Sequence, residues 1–176
     1  MIAAVANIYS DRHYIPKCMN MTTMQTRISM LHSAIALCCA AWCHAENRVE
    51  VFDVAPVWAG HKVGFALLTQ PPHQYVAFYD SQRRMTVATR KIENSTWTFH
   101  VLPETIGWDS HNYIALAIDR NGCLHLSGNM HVTPLKYYQT AAPHDIASFA
   151  RVEKLVGSEE SRVTYPSFLA GPAGQF

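Results

Sequence analysis

Charge is what this sequence has least of. Asp, Glu, Lys and Arg make up 15% of its 176 residues, and 14 basic against 13 acidic side chains leave a formal net charge of +1. An average soluble protein carries about 25% charged residues. So balanced a chain draws neither nucleic acid nor anionic lipid by its net charge, and neither partner is expected. With 49% hydrophobic residues, the scarcity also excludes a disordered charged chain, a coiled coil and a collagen-like fibre. Long apolar runs are missing too. Residues 30–43 (MLHSAIALCCAAWC) form an uncharged stretch, shorter than the ~20 residues that cross a bilayer comfortably. There is no Gly-x-Ser-x-Gly elbow, phosphate loop or dinucleotide fingerprint, and no cofactor is expected.

The apolar stretch has a different use. Arg27 precedes it, and Cys43-His44-Ala45 closes it on a small residue before the polar Glu46-Asn47-Arg48. A basic flank, a short apolar run and an Ala-terminated end form the secretory signal pattern, so the mature chain is expected to be secreted or periplasmic. An uncleaved anchor or a buried helix is the alternative. Leu37 and Trp42 directly before Cys38 and Cys43 disfavour a lipoprotein signal. Residues 1–20 have no targeting pattern and read as an over-extended start, with Met21, Met24 and Met30 as later ones. The expected organisation is an extension with a signal helix over 1–45 and a folded domain over 46–176. Removing 1–45 takes Arg12, Lys17 and Arg27 against Asp11, leaving 11 basic and 12 acidic residues, a net charge of −1. Of five cysteines only Cys123 remains. An exported domain with one cysteine forms no internal disulfide, so its core must hold it, with Cys123 read as a small buried residue.

From residue 48 onward the hydrophobic pattern has period two or runs continuously, with β-branched and aromatic enrichment between turn signals. Strands are predicted over 49–54, 63–69, 74–79, 85–91 and 96–102, then 112–118, 123–128, 134–139 and 147–153. Turns fall at Gln70-Pro71-Pro72, Asp80-Ser81-Gln82, Glu93-Asn94-Ser95 and Asp119-Arg120-Asn121-Gly122. The four strands starting at 63 recur about 48 to 51 residues later, and Val163-Thr164-Tyr165-Pro166-Ser167-Phe168 reads as the opening of a third unit. Four-stranded units at a period of ~40–50 residues mark β-propeller blades. The expected fold is therefore all-β: a partial propeller of about two four-stranded antiparallel blades plus the start of a third. A β-sandwich is the alternative. Closed propellers have at least four blades, typically four to eight, so these 176 residues read as an N-terminal piece of a larger domain.

Chemistry concentrates between 108 and 131. Gly122 suits the left-handed position that ends a three-residue hairpin loop. That loop pairs Asp119 with Cys123, so partner numbers sum to 242 and His111 faces His131. Cross-strand partners have Cβ atoms ~5 Å apart. Two imidazoles then converge at one mouth of the sheet, with Asp109, Asn112 and Asn129 as candidate substrate contacts. Such a pair can serve as general base and electrostatic partner. Cys123 lies at the opposite end of the hairpin and no third ligand has suitable spacing, so no metal is expected. His125, between Leu124 and Leu126, reads as structural. Arg83, Arg84 and Arg90 are either a carboxylate-binding group or, as a charge run usually is, a solvated face. Trp58, Trp97, Trp108, Tyr75, Tyr79, Tyr137 and Tyr138 are either sugar-stacking rings or blade packing.

Two passages carry a family likeness: Trp58-Ala59-Gly60-His61-Lys62-Val63-Gly64-Phe65-Ala66-Leu67, and Trp108-Asp109-Ser110-His111-Asn112 through Gly128-Asn129-Met130-His131. Over roughly 55–176 the chain resembles the BNR-repeat propeller family, which includes bacterial ulvan lyases and related polysaccharide lyases. Ile118-Asp119-Arg120-Asn121-Gly122 lacks the Ser/Thr and Trp of the sialidase Asp-box. The resemblance implies an anionic, uronic-acid-containing polysaccharide as partner, cut by β-elimination. It also implies that His111 and His131 are the catalytic pair, one removing a proton or binding sugar and the other neutralising the uronate carboxylate. The family's tyrosine and arginine are expected from later blades, with Tyr165 a blade residue, so these residues alone are expected to show little or no lyase activity. A non-catalytic carbohydrate-binding or structural propeller is the competing expectation. A glycoside hydrolase needs two converging carboxylates, and Asp109 has no evident partner.

Overall fold

A computed structural model describes residues 2–6, 49–60 and 62–172. The expected signal helix and the boundary at residue 45 lie outside the described residues. The chain divides into two compact units, Met1–Ala4 with Phe52–Phe176, and Val5–Val51. The architecture is all-β. Strands β1 (Ile2–Ala6) and β2 (Glu50–Ala55) make a two-stranded sheet.

Two four-stranded antiparallel sheets follow in the manner of propeller blades. The first orders β3 (Ala66–Gln70), β4 (His73–Tyr79), β5 (Arg84–Lys91) and β6 (Thr98–Thr105) as a meander. The second orders β7 (Ile114–Ile118), β8 (Leu124–Gly128), β10 (Tyr137–Thr140) and β11 (Phe149–Arg151). Between β8 and β10 the chain leaves the sheet as β9 (His131–Thr133), which pairs with β12 (Val163–Thr164). The expected opening of a third unit at 163–168 thus supplies a two-residue strand that pairs with β9 in a separate two-stranded sheet. A 3₁₀ turn over 146–148, capped by Asp145 accepting from the Ala147 N–H at 3.0 Å, shortens the last strand.

Alternation along β4 and β5 explains the continuous hydrophobicity of this region. Tyr75, Ala77, Tyr79, Met85 and Val87 point one way and join Ile114, Leu124, Leu126 and Tyr138 of the second sheet, and Ile146 of the 3₁₀ turn, in one core. Val76, Phe78 and Ala88 point the other way and pack with Val54 and Trp97. Both faces of β4 are therefore buried, so no polar alternation is left to read. Among the rings that sequence left between stacking and packing, Tyr75, Tyr79, Trp97, Tyr137 and Tyr138 are buried, while Trp108 is 74% exposed.

One charge departs from expectation. Arg90 is buried, with Nε donating to Gln74 at 2.9 Å and Nη1 to the Asn94 carbonyl at 2.8 Å. Its guanidinium lies 4.1 Å from the Phe52 ring centre and 5.2 Å from that of Trp97. A planar, weakly hydrated cation with satisfied donors can be stacked inside a core where an ammonium would not be. Cys123 is half-buried with a free thiol.

Candidate functional site

The site sits at the mouth of the β7–β8 hairpin, and its geometry begins at the other end. Asp119 accepts from the N–H groups of Asn121 and Cys123 through Oδ1, both at 2.9 Å, and the Gly122 N–H donates to the Asp119 carbonyl at 3.0 Å. Gly122 has φ +83°, a conformation that costs a residue with a Cβ. The turn sets the register Ile118↔Leu124 through Ile114↔Gly128. At the mouth a Cβ on Gly128 would meet the Tyr113 carbonyl oxygen at 2.9 Å, so the glycine admits the close approach of the two segments.

Beyond the paired residues the two histidines meet as that register predicts. Their rings stack with centroids 4.0 Å apart and 28° between planes. The Asp109 carboxylate bridges them, Oδ1 to His111 Nδ1 and Oδ2 to His131 Nδ1, each at 2.5 Å. The His111 N–H also donates to Asp109 Oδ1 at 2.9 Å, a local turn that places carboxylate and ring together. On the other side Asn129 and Val132 adopt φ +59° and +53°, and the Val132 N–H donates to Thr164 Oγ1 at 2.8 Å. These left-handed residues bracket His131 and turn it out of the strand direction.

The hydrogen bonds hold the Asp109 carboxyl well below the usual carboxylate range: first that from the His111 backbone, then those from the His131 and His111 rings. An ionised carboxylate only accepts. Both Nδ1 atoms therefore carry the donated protons, and Nε2 is the nitrogen each ring keeps for chemistry. Side-chain exposures of 43% for His111, 35% for His131 and 36% for Asp109 leave the cluster open to solvent.

The other expected contacts lie apart. Asn129 is buried, and its Nδ2 donates to Glu104 Oε2 at 2.8 Å and to the Thr105 carbonyl at 3.2 Å. Asn112 is also buried, its carbonyl accepting from the Tyr79 hydroxyl at 2.9 Å. His125 is in the core, with Nδ1 2.6 Å from the Tyr137 hydroxyl and Nε2 3.5 Å from Asp119. Tyr165, which the sequence places as a blade residue, has its ring centre 5.7 Å from that of His111 and 5.4 Å from that of Tyr113. Its φ of +54° is a strain that spacing does not reveal. Trp108 rests edge-on against Trp58 at 5.3 Å between ring centres. Asp109 also supplies the third ligand that spacing did not offer, and one ligand atom from each of Asp109, His111 and His131 lies within 4.8 Å of the others.

A family model described as a BNR repeat-containing family member matches residues 73–176. No curated protein matches the chain. A solved structure described as a new family of polysaccharide lyase, PL25 ulvan lyase, is similar at a TM-score of 0.49 and 15% identity. The match covers 70% of this chain and 32% of that one. A second structure, the PL25 ulvan lyase bound to -[GlcA(1-4)Rha3S]-, is similar at a TM-score of 0.49, 14% identity and the same coverage. The chain thus spans about a third of the length of these structures.

Proposed function

The chain belongs to the BNR repeat-containing family, and on that footing we propose that it is the histidine-bearing part of a secreted or periplasmic polysaccharide lyase. Its substrate is an anionic glycan containing uronic acid, and its reaction is β-elimination. The observation that carries this reading is the pair of imidazoles held by one carboxylate. In the elimination a base takes the C5 proton, the electron pair forms the C4–C5 double bond, and the C4–oxygen bond breaks with proton transfer to the leaving oxygen. C5 is weakly acidic, so the reaction needs a base matched to neutral pH and a positive or hydrogen-bonding partner for the uronate. Asp109 supplies the tautomer: with Nδ1–H fixed, Nε2 of one ring accepts the proton while the other ring, when protonated, faces the carboxylate. The open mouth suits a polymer bound along its length.

The test uses the whole protein that contains these residues, incubated with ulvan and other uronate polysaccharides. Unsaturated product is read by its ultraviolet absorbance. We expect His111→Ala and His131→Ala each to lower kcat by roughly 10²–10⁴-fold, the usual worth of a positioned proton-transfer group. Absence of unsaturated product from every uronate polymer, or full rates in both variants, overturns the reading. Exposed Trp108 favours a second one, glycan binding without cleavage. Retained binding in both histidine variants, with no product from the parent, would establish it.

A further inference from the structure

Asp109, His111 and His131 converge in a way that proton transfer alone does not require. Two neutral imidazoles and one carboxylate are the ligand types that hold borderline divalent ions, and three protein ligands with the remaining positions open is a common arrangement for zinc. Two segments deliver them: an i, i+2 pair on the loop before β7, and His131 at the start of β9. The ligand atoms already lie within 4.8 Å of one another, so small shifts bring them around one ion at the ~2.0–2.2 Å distances zinc prefers. The partial exposure of all three side chains gives an ion a path in. A single carboxylate is a poor set for Ca²⁺ or Mg²⁺, which need several oxygens.

We propose that Asp109, His111 and His131 form a binding site for one borderline divalent ion, Zn²⁺ or Ni²⁺, and that its occupancy shuts the site off. The shut-off rests on the lyase reading: coordination takes the imidazole lone pairs and the Asp109 oxygens, which removes the base and the group that fixes its tautomer. A neutral imidazole has one nitrogen lone pair, and a ring that gives it to the ion has none left for a proton, so ion and uronate compete for the same histidines.

The experiment titrates metal-stripped protein with Zn²⁺ alone by calorimetry and reads the bound ion's ligands by X-ray absorption. Expected are one ion per chain, scattering from two imidazoles, and an affinity roughly tenfold or more weaker in each of Asp109→Ala, His111→Ala and His131→Ala. His131→Gln checks that the loss does not come from misfolding, with thermal melting alongside. His144→Ala, in a separate ring cluster, should bind as the parent does. No binding at millimolar Zn²⁺, or unchanged affinity in the three site variants, overturns the proposal. Elimination by the whole protein should fall with added Zn²⁺ and return with EDTA; insensitivity of an active, zinc-loaded protein overturns the shut-off. Zinc binding without any elimination leaves the metal site standing and removes the lyase reading, whereas elimination without zinc binding does the reverse.

Discussion

Glu104 shows how a side chain outside the histidine cluster helps to set its geometry. Its carboxylate accepts from Lys136 Nζ at 2.7 Å, Asn129 Nδ2 at 2.8 Å and the Tyr138 hydroxyl at 2.9 Å. Burial alone would raise its pKa, but the hydrogen bonds from Lys136, Asn129 and Tyr138 more than offset this and hold it below the ordinary value of 4.5. A carboxylate with a depressed folded pKa contributes stability above its unfolded pKa and loses it as pH falls below. Because Asn129 is two residues from His131, Glu104 anchors the bend that aims the ring. Glu104→Ala should cost about 2 kcal/mol, the order for a buried charged acceptor and its stranded donors, and should shift the His131 imidazole resonances; Glu104→Gln should cost less. Urea denaturation and NMR of the two proteins check this. At the same scale, His111 facing His131 was legible because strand pairing is arithmetic. The commitment of Asn129 to Glu104 was not, because a left-handed residue breaks the alternation on which that arithmetic rests. Arg90 was misread for a related reason, since nothing local announces that Phe52 and Trp97 cover it.

Period and punctuation announce the two four-stranded sheets: all eight of their strands, β10 and β11 of four and three residues included, lie within a few residues of their predicted places. What escaped is the pairing of β9 with β12: the strands are three and two residues long, and Val163-Thr164 reads from the sequence as the opening of a further unit, not as the partner of 131–133. The β7–β8 hairpin was the most legible element because its turn, register and mouth follow from Gly122. Gly122→Ala should destabilise the protein by about 1–2 kcal/mol, the cost of a Cβ in left-handed backbone. The new methyl would also meet His144 Nε2 at 2.8 Å. The sum-of-242 register should persist, since Asp119 still closes the loop. Thermal melting reads the first effect, and the His111–His131 cross-peaks in NMR read the second.

Across the molecule, the two four-stranded sheets share a core and a polar seam. His73 of β4 stacks on His144 of the second sheet's loop with centroids 4.6 Å apart and 18° between planes. The Tyr75 hydroxyl lies 2.8 Å from His144 Nδ1, and burial pushes the phenol up to about 12. His73 Nδ1 is buried without a hydrogen-bond partner among the described residues. Burial first, then His144 and Lys91, lower the His73 pKa from 6.5, against a smaller opposing effect of Glu93. The unfolded chain therefore takes up a proton that the fold resists. Stability is full above the ordinary histidine range and falls as pH drops below it. The melting temperature should decline between about pH 7 and pH 5, and His73→Phe should flatten that decline. An identical slope in the variant would refute this role for the seam.

The burial of β4 on both faces has an evolutionary consequence. A one-residue insertion or deletion within it would exchange the faces presented by Tyr75, Ala77 and Tyr79 and by Val76 and Phe78. It would also withdraw the Tyr79 hydroxyl from the Asn112 carbonyl, which borders the histidine mouth. Lineages carrying this site can therefore change length freely in exposed turns, such as the one around Gly157, but not in this strand. The length of β4 should be inherited together with His111 and His131, although neither belongs to that strand.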